Sequence, residues 1–370
     1  MNFESKYIRQ LTFFVLKILV IYFVSSFIVS SLSDQDIYYQ LRGSNRACQS
    51  NTIKTSILDQ LVCLEDKFDN FLFLYIDSLP FDLFALSNKS AKANSKAWRM
   101  TLKGVADSGP SFSAFTTGRI ANKYEGSIAN IDNIFNQFQI ADIKVKGWGY
   151  NYPIEEMIGR SFFVDYQNST GGLKNAICNQ FLDIKKVSLP NLSIIDSLIE
   201  SESKQISYFK KRYKYFSGLL APRQSSIENC IKSNLVPDFS YFVYEVYSDT
   251  IGHQYSRESK HYLNKIAALR ANLDVLLNGM RKLQPERLVV VVSDHGVVSA
   301  LWETEVSNHG TPYNENQSFF YIQGAKVVNK DFSDVDIIPG NHLSSILPLF
   351  IKSTNIPINF NESIYEIFKL

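Results

Sequence analysis

The sequence predicts an α/β fold, a mostly parallel central sheet flanked by helices and preceded by one N-terminal transmembrane helix. Three observations predict it. The runs Phe71–Ile76 and Leu288–Val292 are apolar at consecutive positions, as strands buried on both faces of a parallel sheet are. Helical periodicity between such runs, clearest over 256–283, supplies the alternation of an α/β domain. An apolar run from Leu11 to Leu32 is long enough to cross a hydrocarbon core of about 30 Å.

Lys6 and Arg9 precede that run, and Asp34 and Asp36 follow it. The basic flank stays cytoplasmic, so residues 1–10 read as a cytoplasmic tail and everything after 32 as lying on the lumenal or outer side. Lys17 sits near the cytoplasmic end, where its stem lets the ammonium snorkel. The run exceeds the core of a usual cleaved leader, which makes 11–32 an uncleaved signal anchor. Residues 33–69 are mixed and polar and read as a stem. The catalytic domain spans 70–365. Cysteines 48, 63, 178 and 230 are even in number and permit disulfides. None has CxxC spacing, which argues against a zinc ribbon, and Cys48 with Cys63 is one pairing open to them. Sequons at Asn88, Asn168, Asn191, Asn316 and Asn361 agree with export.

Within the domain, Phe71–Ile76 is the first strand and ends at Asp77. Residues 107–117 hold small residues and a proline, with Ser108 at a helix start. Residues 139–149 read as a second strand, and 190–235 as a charged helical insertion. Tyr241–Tyr247 reads as a strand that ends at Asp249, and Leu288–Val292 as one that ends at Asp294. The hydrophobic fraction of 45% against 20% charged is that of a folded globular chain. A formal net charge of +2 gives no footprint for nucleic acid.

The chemistry sits at the strand ends. Ligands collect outside the carboxyl ends of strands in open α/β sheets. Three carboxylates gathered there, Asp77, Asp249 and Asp294, repel one another unless cations neutralise them. Asp249 and His253 are four apart, one helical turn, and so share a face. His295 adjoins Asp294, and His309 follows in SNHG. Imidazole with carboxylate suits zinc better than magnesium. Ser108, before Gly109 and Pro110, would stand where the free amides of a helix start attract a phosphoryl group. Each residue alone has an ordinary reading, as a helix cap, a surface histidine or an N-cap serine; together the carboxylates and imidazoles outline a metal site.

The ordered set YIDSLPFD, SGPSFSAFTTG, YSDTIGH, SDHG and NHG, with a late NIPIN turn, resembles the alkaline-phosphatase superfamily from about residue 70 to 365. The members it most resembles are the lumenal domains of GPI ethanolamine phosphate transferases. That resemblance implies an alkaline-phosphatase-like fold with two divalent, zinc-like ions. One would be held by Asp77, Ser108, Asp294 and His295, the other by Asp249, His253 and His309. It makes Ser108 the nucleophile, where the family usually carries Thr, and Ser111 a phosphate contact. It implies phosphoethanolamine transfer from phosphatidylethanolamine to a mannose of the GPI-anchor precursor, through a covalent phospho-serine. The lipid donor, the glycolipid acceptor and a single-pass endoplasmic reticulum location follow from it. Pro80 stands where relatives carry a basic residue. The relatives continue into many membrane helices, whereas Leu343–Ile351 is too short to span a bilayer, which leaves a place for a partner membrane subunit. The alternatives are a phosphodiesterase or nucleotide pyrophosphatase using water, and a metal-free binding subunit. A sulfatase is disfavoured, because Phe112 stands where its motif needs Arg.

Overall fold

The structure is a computed structural model that describes residues 17, 63–64, 68–85, 95–101, 108–117, 133–149, 159, 162–168, 173–187, 198–199, 201–297, 317–325, 327–328 and 337–338. The chain divides into two compact units, Met1–Asn51 and Thr52–Leu370. Of the first, Lys17 alone is described; it is helical and exposed. The expected anchor at 11–32 otherwise lies outside the described residues, as does His309. Among the described residues no helix is long and apolar enough to cross a membrane.

The second unit is built from β1 (Cys63–Leu64), β2 (Phe71–Ile76), β3 (Ser95–Thr101), β4 (Val145–Gly149), β5 (Asp165–Asn168), β6 (Ser240–Glu245), β7 (Leu288–Ser293), β8 (Gln317–Gln323), β9 (Val327–Val328) and β10 (Ile337–Ile338). The main helices are α1 (Phe81–Ala85), α2 (Ser108–Thr117), α3 (Ile134–Ile140), α4 (Leu173–Ala176), α5 (Glu202–Leu220), α6 (Gln224–Asn234), α7 (Tyr247–Gln254) and α8 (Lys260–Leu283). Eight strands form one sheet in the order β10-β3-β8-β7-β2-β6-β4-β5. All neighbours pair in parallel except at β8, which is antiparallel to both β3 and β7. β1 and β9 pair separately, so residues 63–64 of the expected stem are tied to 327–328.

The central strands β2, β6 and β7 are buried at every position. Their side chains alternate between two apolar layers. Leu72, Leu74, Ile76, Val243 and Val289 join one core with Leu263, Ile266, Leu269 and Leu273 of α8. Phe73, Tyr75, Phe242 and Tyr244 form an aromatic layer with Phe112 and Phe115 of α2. Each such side chain stabilises by roughly 1.5–3 kcal/mol on burial, so both layers hold the strand ends firmly. Ser259 caps α8 by accepting from the amide of His261 at 3.1 Å.

Three expectations are corrected. The expected strand at 139–149 is a helix through Ile140 followed by β4, because Asn133 caps α3 and accepts from Phe135 and Asn136. The strand expected to run to Tyr247 stops at Glu245, and Asp249 lies in the first turn of α7. The segment expected as an insertion supplies Phe209, Phe216, Ile227 and Ile231 to the same core as the sheet, so α5 and α6 are part of the helical layer.

Candidate active site

Asp77 lies in the turn that leaves β2, and Asp294 follows β7 directly. β2 and β7 are adjacent and in register, Ile76 opposite Ser293, which brings the two carboxylates to one edge. α7 leaves the neighbouring β6 and carries Asp249 to the same edge. Ser108 opens α2, whose Phe112 and Phe115 lock the helix onto Tyr75. Thus four chain segments meet outside the carboxyl ends of three central strands.

The Ser108 hydroxyl donates to Asp77 Oδ1 and Oδ2, 3.1 Å each, and lies 3.3 Å from His295 Nε2. His295 Nε2 is 3.5 Å from Asp77 Oδ1 and 3.7 Å from Asp294 Oδ2. Its Nδ1 lies 2.8 Å from the Gly296 carbonyl, which only accepts, so Nδ1 carries a proton and Nε2 is the nitrogen turned toward Ser108 and Asp77. His253 Nε2 is 3.3 Å from Asp249 Oδ2 on the shared face of α7. One ligand atom each from Asp77, Asp249 and His295 lie within 4.8 Å of one another. The structure therefore joins Asp77, Ser108, Asp249, Asp294 and His295, with His253 at the more exposed flank. Ser111 lies buried one turn along α2 and shares no described hydrogen bond with this group.

Burial, and then the charges of Asp294 and Asp249, push the Asp77 carboxyl well above the usual carboxylate range. Burial raises Asp294 as well, against the opposing pull of His295 and the amides of Ser78 and His295. Asp294 Oδ1 accepts from both of those amides at 2.8 Å. Its Oδ2 is buried and reached by no donor among the described residues. Three clustered carboxylates, one with an orphaned oxygen, and an imidazole form a donor set that fits a divalent cation.

Residues that the sequence did not single out organise the cluster. Ser78 adopts a left-handed backbone, φ 58°, strained for a residue other than glycine. That turn points its hydroxyl at Asp249 Oδ1, 2.9 Å, while the same oxygen lies 3.0 Å from His295 Nδ1. Tyr244 donates to Asp77 Oδ2 at 2.6 Å, and Ser248 donates to the Asp77 carbonyl. Burial, and then the charge of Asp77, drive the Tyr244 phenol well above its usual range, so it stays a donor. Gly149 packs on Tyr244 so tightly that a Cβ would lie 2.5 Å from the Tyr244 carbonyl oxygen. The one local signal for Ser78 is a small polar residue between a strand-end aspartate and Leu-Pro; Tyr244 has none.

No family model and no curated protein matches the chain. Among solved structures it is similar to the alkaline phosphatase of the Antarctic bacterium TAB5, at 14% identity over 79% of this chain and 99% of that one, TM-score 0.44. It is similar to BT1596, a 2-O GAG sulfatase, at 10% identity over 82% and 74%, TM-score 0.45. It is also similar to the lipoteichoic acid synthase LtaP from Listeria monocytogenes, at 11% identity over 80% and 74%, TM-score 0.40.

Proposed function

We propose that the chain is a metal-dependent phosphoryl-transfer enzyme of the alkaline-phosphatase type, with Ser108 as nucleophile. The observation that carries this is the Ser108 hydroxyl at a helix start, bonded to Asp77 and facing His295 Nε2. One divalent ion would be held by Asp77, Ser108, Asp294 and His295, and a second by Asp249, His253 and His309. Such ions, zinc by the donor chemistry, supply Lewis acidity that makes a serine hydroxyl nucleophilic and neutralises charge on the phosphoryl group.

The chain's own residues do the rest. Asp77 orients the Ser108 hydroxyl, and Tyr244 and Ser78 keep Asp77, Asp249 and His295 from turning away. The positive end of the α2 dipole, at Ser108, attracts the phosphoryl group. Ser108 gives its hydroxyl proton to solvent as Oγ forms a bond to phosphorus and the bond to the leaving oxygen breaks, and the leaving alkoxide takes a proton from water. An acceptor hydroxyl then attacks the phospho-serine and loses its proton to solvent as the bond from phosphorus to Ser108 Oγ breaks, and Ser108 takes a proton back from solvent.

At the finer level, the motif set favours phosphoethanolamine transfer from phosphatidylethanolamine to a mannose of the GPI-anchor precursor. The catalytic part would be lumenal in the endoplasmic reticulum membrane, with a lipid donor and a glycolipid acceptor. The apolar run 11–32 and the Cys178–Cys230 disulfide support an exported, membrane-held chain. A second reading, a phosphodiesterase or nucleotide pyrophosphatase, is favoured by the His253 side chain, 36% exposed, which leaves that flank open to water.

Acid quench during turnover, followed by mass spectrometry of the peptide carrying Ser108, tests the covalent step. A phosphoryl adduct is expected on Ser108; turnover with that peptide unmodified eliminates the mechanism. Products formed from phosphatidylethanolamine with and without a mannoside acceptor separate transfer from hydrolysis.

A further inference from the structure

A groove of about 530 Å³ opens between the β4–β5 edge of the sheet, the 177–180 turn and α6. Among the described residues that line it, none is charged. Its polar side chains are amides and hydroxyls, including Gln167, Asn179, Ser226 and Asn229. Asn179, Ser226 and Asn229 are exposed, and their side chains make no hydrogen bond among the described residues. Trp148 adds an apolar wall. Its ring stacks on Tyr241 at 5.2 Å and 4°, and its Nε1 donates to Gln167 Oε1 at 3.2 Å, which fixes both side chains. The Cys178–Cys230 disulfide joins the groove's two sides covalently.

We infer that this groove is a binding site for a neutral sugar. A polyhydroxylated ligand both donates and accepts, and carboxamides and hydroxyls do the same without charge. A phosphate, carboxylate or amine would need an opposite charge, which the described lining residues do not carry. The volume falls within the range of small-molecule sites. The site is distinct from the carboxylate cluster. Trp148 of β4 pairs with Val243 of β6, and β4 is two strands from β2. At about 4.8 Å per strand this sets it about 10 Å across the sheet from Asp77. The inference stands on the groove alone, whatever reaction the carboxylate cluster performs.

Saturation-transfer NMR and calorimetry on the full chain test it, with methyl mannoside, methyl glucoside and N-acetylglucosamine as probes, each run with and without a chelator. At least one probe is expected to bind, equally in both conditions. Its affinity should fall about tenfold or more in the Asn179→Ala/Asn229→Ala variant, whose changes are both at exposed positions. Ser226→Trp, which fills the groove from an exposed position, should abolish binding. No binding by any probe overturns the inference. So does binding that survives both variants, or binding that vanishes on chelation.

Discussion

The Ser108 hydroxyl donates to both carboxylate oxygens of Asp77, 3.1 Å each, across 31 positions of sequence. That symmetric bond makes Asp77 the positioning group for the proposed nucleophile. Ser108→Ala is expected to reduce turnover at least about a thousandfold. Metal content by elemental analysis should remain, because Asp77, Asp294 and His295 are untouched. Near-normal turnover in this variant would remove Ser108 from the chemistry.

Tyr244→Phe deletes the 2.6 Å bond to Asp77 Oδ2 without changing the aromatic layer. A buried carboxylate oxygen then loses a donor, at a cost of about 1–3 kcal/mol. Metal affinity should fall roughly 10–100-fold, as it does when a ligand loses its outer partner. Titration against a competing chelator reads this directly; unchanged affinity would mean that Tyr244 only packs.

Ser78 combines strain with a bridging hydroxyl, and two substitutions separate them. Both Ser78→Gly and Ser78→Ala lose the bond to Asp249. Glycine alone relieves the left-handed backbone, so it should be the more stable variant by about 1 kcal/mol. Denaturant midpoints compare them, and an alanine variant as stable as the glycine one contradicts the strain.

Burial pushes the Glu245 carboxyl up to about 7 from an ordinary 4.5. Its two oxygens accept from the amides of Leu173, 2.7 Å, and Tyr247, 2.9 Å. Between those pH values the folded chain holds a proton that the unfolded chain has released. The stability contribution is therefore complete below 4.5 and is lost as pH rises through 7, by about 3 kcal/mol. Glu245→Gln, which does not titrate, should flatten that part of the slope, at a cost of about 1 kcal/mol at pH 5 from the amide facing one N–H donor. Thermal melts across this window with metal saturated decide it. An equal slope in both proteins would assign the pH dependence elsewhere.

The Cys178–Cys230 bond closes a loop of sequence separation 52, worth about 4 kcal/mol in the chain-entropy model. Cys178→Ser/Cys230→Ser should lower the denaturant midpoint accordingly, and a reductant should shift the midpoint of the wild type more than that of the variant.

Much of the sheet was readable because its physics is local. A strand buried on both faces must be apolar at consecutive positions, and β2 and β7 are, each followed at once by its aspartate. The four-residue spacing of Asp249 and His253 holds on one helix and needs no knowledge of the rest of the chain. The sequence by itself determined the residue types at the strand ends and the spacing that puts two of them on one helical face. Strand order, the antiparallel β8, the partner of Cys178, the phenol of Tyr244 on Asp77 and the left-handed turn at Ser78 were decided only by tertiary structure. Each depends on which distant backbones become neighbours, and no local propensity encodes that.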